Sequence, residues 1–178
     1  MRENSWQKLN PLQVGRYAEQ LVKMELTLHE LDVYTSEIDD RGIDFVIRLG
    51  EGSYVDVQVK AVRGFNYVFM RKRHFKLRPN LFLALVLLHE GSAPQLFLIP
   101  AEAWRNCNGL FVSRDYVGKK SEEEWGLNLS RRNLPLLRPY EFHESAPRFL
   151  GYRVDHTQEA NGDTQEGEKA RKDRKDRG

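Results

Sequence analysis

Hydrophobic and polar positions change period several times along this chain, and each change marks an element. In "LNPLQVGRYAEQLVKMELTLHEL" the apolar residues recur at helical spacing. At about 100° per residue, Val14, Tyr17, Ala18, Leu21, Met24 and Leu28 share one stripe, which predicts an amphipathic helix of about five turns. Asn10 can cap it, Pro11 suits its first position, and Gln13 stands where a capping-box partner is needed. "DVYTSE" reads as a short strand. "GIDFVIRL" and "YVDVQVKAV" then alternate with period two, with Ile43, Phe45, Ile47 and Leu49 on one face and Val55, Val57 and Val59 on the other strand's matching face. The intervening "GEGS" predicts a hairpin turn. "FNYVFM", "LFLALVLL" and "QLFLIP" supply three further strands, and "AEAWRN" starts a helix after Pro100. Beyond Asn108 the pattern weakens. "WGLNLS" reads as an edge strand, and Pro135 and Pro139 restrict any helix in "RRNLPLLRPYEF". The order predicts an α/β fold, a mixed β-sheet flanked by helices, with an N-terminal helix preceding a β-hairpin.

The hairpin places its polar residues together. With the apolar residues of both strands on one face, a slip by one residue is forbidden, because it would turn every side chain over. One allowed register sets Asp44 opposite Gln58, and the next sets it opposite Lys60. Either brings the three onto the face away from the valines, which Val46 shares. Two readings follow. Lys60 and Asp44 form an exposed cross-strand salt bridge, the reading that spacing alone favours. Alternatively, the Asp44 carboxylate, the Gln58 amide oxygen and the Val59 carbonyl ligate a divalent cation, while Lys60 stabilises charge on a phosphate. The helix offers two carboxylates toward such a site. Glu25 lies near the middle of the apolar stripe, and Glu19 projects about 100° to its side.

Composition narrows the classes. The 178 residues, 40% hydrophobic and 30% charged, suffice for one domain with a core. No run approaches the roughly 18 apolar residues of a membrane span, and "MRENSWQKLN" lacks a signal-peptide core, so a cytoplasmic protein is expected. Cys107 is the single cysteine, which removes internal disulfides and thiolate clusters. The histidines, His29, His74, His89, His143 and His156, lack zinc-ligand spacing. A net charge of +2 does not announce nucleic-acid binding, although "RKRHFKLR" holds five Lys or Arg in eight residues. Tyr17, Phe65, Tyr67 and Phe69 can stack on bases, but core or strand positions need no such role. From about Thr157 the chain is Gly-, Gln- and charge-rich without large apolar residues, which predicts a single domain over 1–156 and a disordered charged tail over 157–178.

In this order "GRYAEQLVKMEL", "DDRGIDFVI" and "VDVQVK" resemble the PD-(D/E)XK nuclease superfamily, nearest its branch of archaeal Holliday-junction resolvases and Mrr-type restriction nucleases. The strand, loop and strand of "LFLALVLLHEGSAPQLFLIPAEAW" fit the same pattern, and the resemblance spans residues 10 to 106. It implies a restriction-endonuclease-like core and a metal-dependent endonuclease acting on DNA, including branched or structured DNA, with Mg²⁺ or Mn²⁺ as cofactor and a homodimer as a common state. It assigns Glu19 as the helix acid, since the Gly15-to-Glu19 spacing fits and Glu25 does not. Asp44 becomes the principal metal ligand, Gln58 the second, with Val59 through its carbonyl, and Lys60 the catalytic lysine. Arg41, Arg63, Arg71, Lys72 and Arg73 would follow the phosphates. The departure is Gln58, where an acid is usual; a neutral amide holds a cation less tightly. The alternative expectation is therefore a catalytically weak or inactive nucleic-acid-binding or protein-interaction module on the same fold. Asp40 reads as a turn residue, and Asp56 as solvated or paired with Arg48.

Overall fold

The computed structural model describes residues 5–35, 42–50, 52–118 and 120–150, without the side chains of 148–150. Asp40, Arg41 and the 157–178 tail lie outside these residues. Helix α1 spans Pro11–Leu28, and its start follows the expected chemistry. The Asn10 side chain accepts from the Gln13 amide at 2.9 Å, the Gln13 side chain accepts from the Asn10 amide, and Pro11 occupies the first turn. Strands β1 (Asp32–Tyr34), β2 (Phe45–Arg48), β3 (Tyr54–Arg63), β4 (Tyr67–Arg71), β5 (Leu81–Leu88) and β6 (Gln95–Pro100) follow. After them come β7 (Phe111–Arg114), β8 (Glu124–Asn128) and helix α2 (Phe142–Leu150).

Five strands form a mixed sheet in the order β1-β2-β3-β5-β6, in which only β3 and β5 run parallel. A three-stranded antiparallel sheet, β4-β8-β7, packs on one face of it. The mixed sheet, its flanking helices and the helix that precedes the hairpin are as the sequence predicts. Central β5 is buried on both faces, which explains its unbroken apolar run.

Two cores result. On one face, Val14, Ala18, Val22 and Leu26 of α1 pack with Phe45, Ile47, Val55, Val57 and Val59, joined by Phe142 and Ala146 of α2. On the other, Leu81, Leu83, Leu85 and Leu87 meet Val68 and Met70 of β4, Phe111, Leu127 and the fully buried Trp104. Alternation along β3 sends Val62 into this second core, and with it Gln58 and Lys60.

Several expectations are corrected. The buried ladder of α1 is rotated from the predicted stripe: Val22 and Leu26 are buried, while Met24 and Leu28 are exposed. The sheet beneath selects small and branched residues at i, i+4 spacing, which is narrower than the sequence's total apolar arc. "WGLNLS" is the central strand of the smaller sheet rather than an edge. The segment after Pro100 is a 3-10 helix, Ala101–Arg105, anchored where the Trp104 indole donates to the Gly126 carbonyl at 2.9 Å. A further 3-10 helix, Leu134–Tyr140, accommodates both prolines. No described helix is long and apolar enough to cross a membrane.

Candidate active site

The hairpin adopts one of the two registers that the alternation allows. Phe45 faces Val57 and Val46 faces Asp56, so continuing the ladder sets Asp44 opposite Gln58. The Asp44 amide donates to the Val57 carbonyl at 2.9 Å. Its carboxylate then closes the ladder by accepting from the Val59 amide at 2.5 Å. Amide and carbonyl of one strand residue point to the same edge, so the Val59 carbonyl also points toward the end of β2 that Asp44 occupies.

Gln58 and Lys60 open onto one cavity of about 420 Å³, lined also by Gly42, Phe69, Met70, Arg71 and His74. Gln58 is 8% exposed, and its Oε1 is buried without a hydrogen-bond partner among the described residues. A sealed carbonyl oxygen without a donor costs about 1–3 kcal/mol relative to a satisfied one. Gly42 is required beside it. Its φ is +70°, and a Cβ there would stand 3.1 Å from Gln58 Nε2 and 3.3 Å from His74 Cβ. Lys60 is half-buried and has no ion-pair partner among the described residues, so the expected Lys60–Asp44 salt bridge is not formed. Asp56 pairs with Arg78 instead of Arg48, whose Nε donates to the Gly50 carbonyl at 3.2 Å.

Glu19 and Glu25 leave α1 in different directions. Glu25 lines a cavity of about 290 Å³ with Gln95 to Phe97 of β6, Glu141 and His143, at the far edge of the sheet from β2. Glu19 lies one turn before Lys23 on the same flank, and the Lys23 ammonium sits 5.6 Å from the centre of the Phe45 ring, next to Asp44. The Glu19 flank therefore overlooks β2. Neither acid lines the Gln58–Lys60 cavity. Among the described residues no three His, Cys, Asp or Glu gather as a metal cluster. Of the oxygens expected to ligate a cation, Gln58 belongs to the cavity lining, whereas Asp44 and Val59 do not line it and the Asp44 carboxylate is engaged by the Val59 amide.

Every described member of the expected phosphate track is engaged within the chain. Arg41 lies outside the described residues. The Arg63 guanidinium donates to the carbonyls of Trp6 and Leu9, at 3.3 and 3.1 Å, and so anchors the N-terminal segment. Arg71 and Arg73 reach Glu122 at 3.5 and 3.1 Å, and Lys72 pairs with Asp115 while lying 4.2 Å from the centre of the Trp125 ring. Acidic residues between β7 and β8 thus meet the basic turn. Of the cavity residues, Gly42, Met70 and His74 escaped the sequence reading as site residues, and Phe69 entered it only as a base-stacking candidate. A lone histidine in a basic run carries no spacing signal. The strand period showed Phe69 facing away from Val68 but not that this face borders the cavity.

No protein-family model matches the chain, and no curated protein matches it. Among solved structures it is similar to a Holliday junction resolvase of the archaeal hyperthermophile Archaeoglobus fulgidus, with a TM-score of 0.47 and 16% identity over 75% of this chain and 95% of that one. It is also similar to a bacterial homing endonuclease, with a TM-score of 0.48 and 15% identity over 84% of this chain and 97% of that one. Both neighbours have the restriction-endonuclease-like fold.

Proposed function

We propose that this protein is a divalent-metal-dependent endonuclease that hydrolyses phosphodiester bonds in DNA. The observation that carries the reading is the buried, partnerless amide oxygen of Gln58 on the cavity that also holds Lys60. The order of helix acid, hairpin Asp and Gln-x-Lys in the sequence supports it, as does the register that sets Asp44 opposite Gln58.

Gln58, Asp44 and the Val59 carbonyl would hold the cation, Mg²⁺ or Mn²⁺; α1, which carries the expected helix acid Glu19, packs on the opposite face of the sheet. A cation held there would supply polarisation of the scissile phosphate and a lower pKa for the attacking water. Lys60, on the same face as Gln58, orients that water and offsets the charge that develops on the phosphate oxygens. Arg71 and His74 contribute donors from the opposite wall of the cavity. Burial of the Gln58 side of the cavity strengthens each of these interactions relative to bulk water.

The test is cleavage of linear and branched DNA by the purified chain with Mg²⁺ or Mn²⁺. Lys60→Ala abolishes cleavage; equal rates for variant and parent would refute the mechanism. A second reading has its own support. The cavity's described lining includes Lys60, Arg71 and His74 but no carboxylate, which suits anion binding without hydrolysis. DNA binding without cleavage in either metal selects that reading.

A further inference from the structure

The outer face of the β4-β8-β7 sheet takes no part in the hydrolysis described above, yet it leads to the same cavity. Alternation along β4 buries Val68 and Met70 and turns Tyr67, Phe69 and Arg71 outward. Tyr67 lies flat across β8 because Gly126 has no side chain; a Cβ there would stand 2.0 Å from the tyrosine hydroxyl. That hydroxyl donates to Glu124 Oε1 at 2.8 Å, as does the Tyr116 hydroxyl. Arg114 of β7 covers the exposed side of the ring, its guanidinium carbon 4.2 Å from the centroid. Tyr67 is therefore a pedestal that holds a guanidinium on the sheet. Glu124 beneath is buried and 4.0 Å from Arg114, so its charge is both covered and countered.

Phe69 stands beside this arrangement and is 48% exposed. An isolated exposed apolar residue needs no explanation. This one lies on the edge strand of the smaller sheet, shares its face with two half-exposed guanidinium groups, Arg71 and Arg114, and also lines the cavity with Lys60 and His74. A free aromatic face flanked by cations on a sheet suits a nucleic-acid strand whose bases are unstacked. A duplex hides its base faces and offers only its backbone to such a surface.

We infer that this face is a track for single-stranded nucleic acid, with a base stacked on Phe69, phosphates on Arg71 and Arg114, and the strand entering the Gln58–Lys60 cavity. The inference names the substrate form for the proposed nuclease and rests on that reading only for what happens at the end of the track.

The experiment uses the full chain without divalent metal, so that binding is read without cleavage. Fluorescence anisotropy compares a labelled oligodeoxythymidine with a labelled duplex of the same length. The parent binds the single strand more tightly. Phe69→Ala weakens single-strand binding about tenfold and leaves duplex binding within about twofold. Phe69→Trp retains affinity, and its added indole fluorescence is quenched on binding, whereas Phe69→Leu behaves as Phe69→Ala. Unchanged single-strand affinity in Phe69→Ala, equal loss on both ligands, or no binding of the oligodeoxythymidine by the parent overturns the track. The two ideas fail separately. DNA cleavage that depends on Lys60 but is indifferent to Phe69 removes only the track, and Phe69-dependent single-strand binding without cleavage removes only the hydrolysis.

Discussion

At the scale of single residues, Gln58 decides how the site works. Its neighbours Val57 and Val59 pack into the apolar core, but Gln58 turns the other way and is buried, with an oxygen that no described residue satisfies. A leucine would avoid that desolvation, and in the proposed site the amide oxygen is kept for the cation. A carboxylate at the same place adds a full charge to the cation's surroundings, and cation affinity rises with ligand charge. Gln58→Glu is expected to lower the Mg²⁺ concentration for half-maximal cleavage by about an order of magnitude, measured by titrating Mg²⁺ at fixed DNA. An unaltered metal requirement would remove Gln58 from the ligand set. Lys60 faces the same cavity without an acidic partner among the described residues, which leaves its charge available to a phosphate.

At the scale of elements, the three-stranded sheet depends on a missing side chain. The Tyr67 ring occupies the space a Cβ on Gly126 would need, with ring carbons at 2.4 and 2.6 Å from that position. Burial first, and then the hydrogen bond to Glu124, holds the Tyr67 phenol protonated beyond the ordinary tyrosine range. Gly126→Ala is expected to destabilise the fold by about 1–3 kcal/mol, the usual cost of overpacking, seen as a lower urea midpoint. Pairing it with Tyr67→Ala should recover part of the loss, since the clash then has no second partner. What the sequence conveyed about the elements follows the range of the interactions involved. The capping box of α1 and the period-two hairpin are settled within a few residues, and both read correctly, including the even parity that pairs Phe45 with Val57. The rotation of α1 depends on which sheet lies beneath it, and β8 became central only because distant β4 and β7 flank it. His74 reached the cavity through a turn whose geometry depends on Gly42, far back in the chain. Long-range partners of this kind leave no local period to read.

At the scale of the whole molecule, charge is arranged so that the basic turn is not simply a bare patch. Glu122 serves both Arg71 and Arg73, and Asp115 serves Lys72, in exposed pairs that each contribute little to stability. Their larger effect is on partners, because any phosphate must displace a carboxylate. Glu122→Gln is expected to tighten nucleic-acid binding at low salt and to steepen the dependence of log Kd on log salt by about 0.7 for each arginine that gains a phosphate of a single strand. Anisotropy titrations across a salt series measure this, and an unchanged slope would show that neither arginine meets the ligand. The sheet order carries a different consequence. One wall of the cavity is β4, and β4 is held by β8, far downstream, through a ladder from Tyr67–Asn128 to Arg71–Glu124. During synthesis the hairpin with Asp44, Gln58 and Lys60 leaves the ribosome well before β8 does. The cleft therefore lacks a supported wall until most of the chain has been made, and a nascent or prematurely terminated product carries the chemistry's residues without the place to use them.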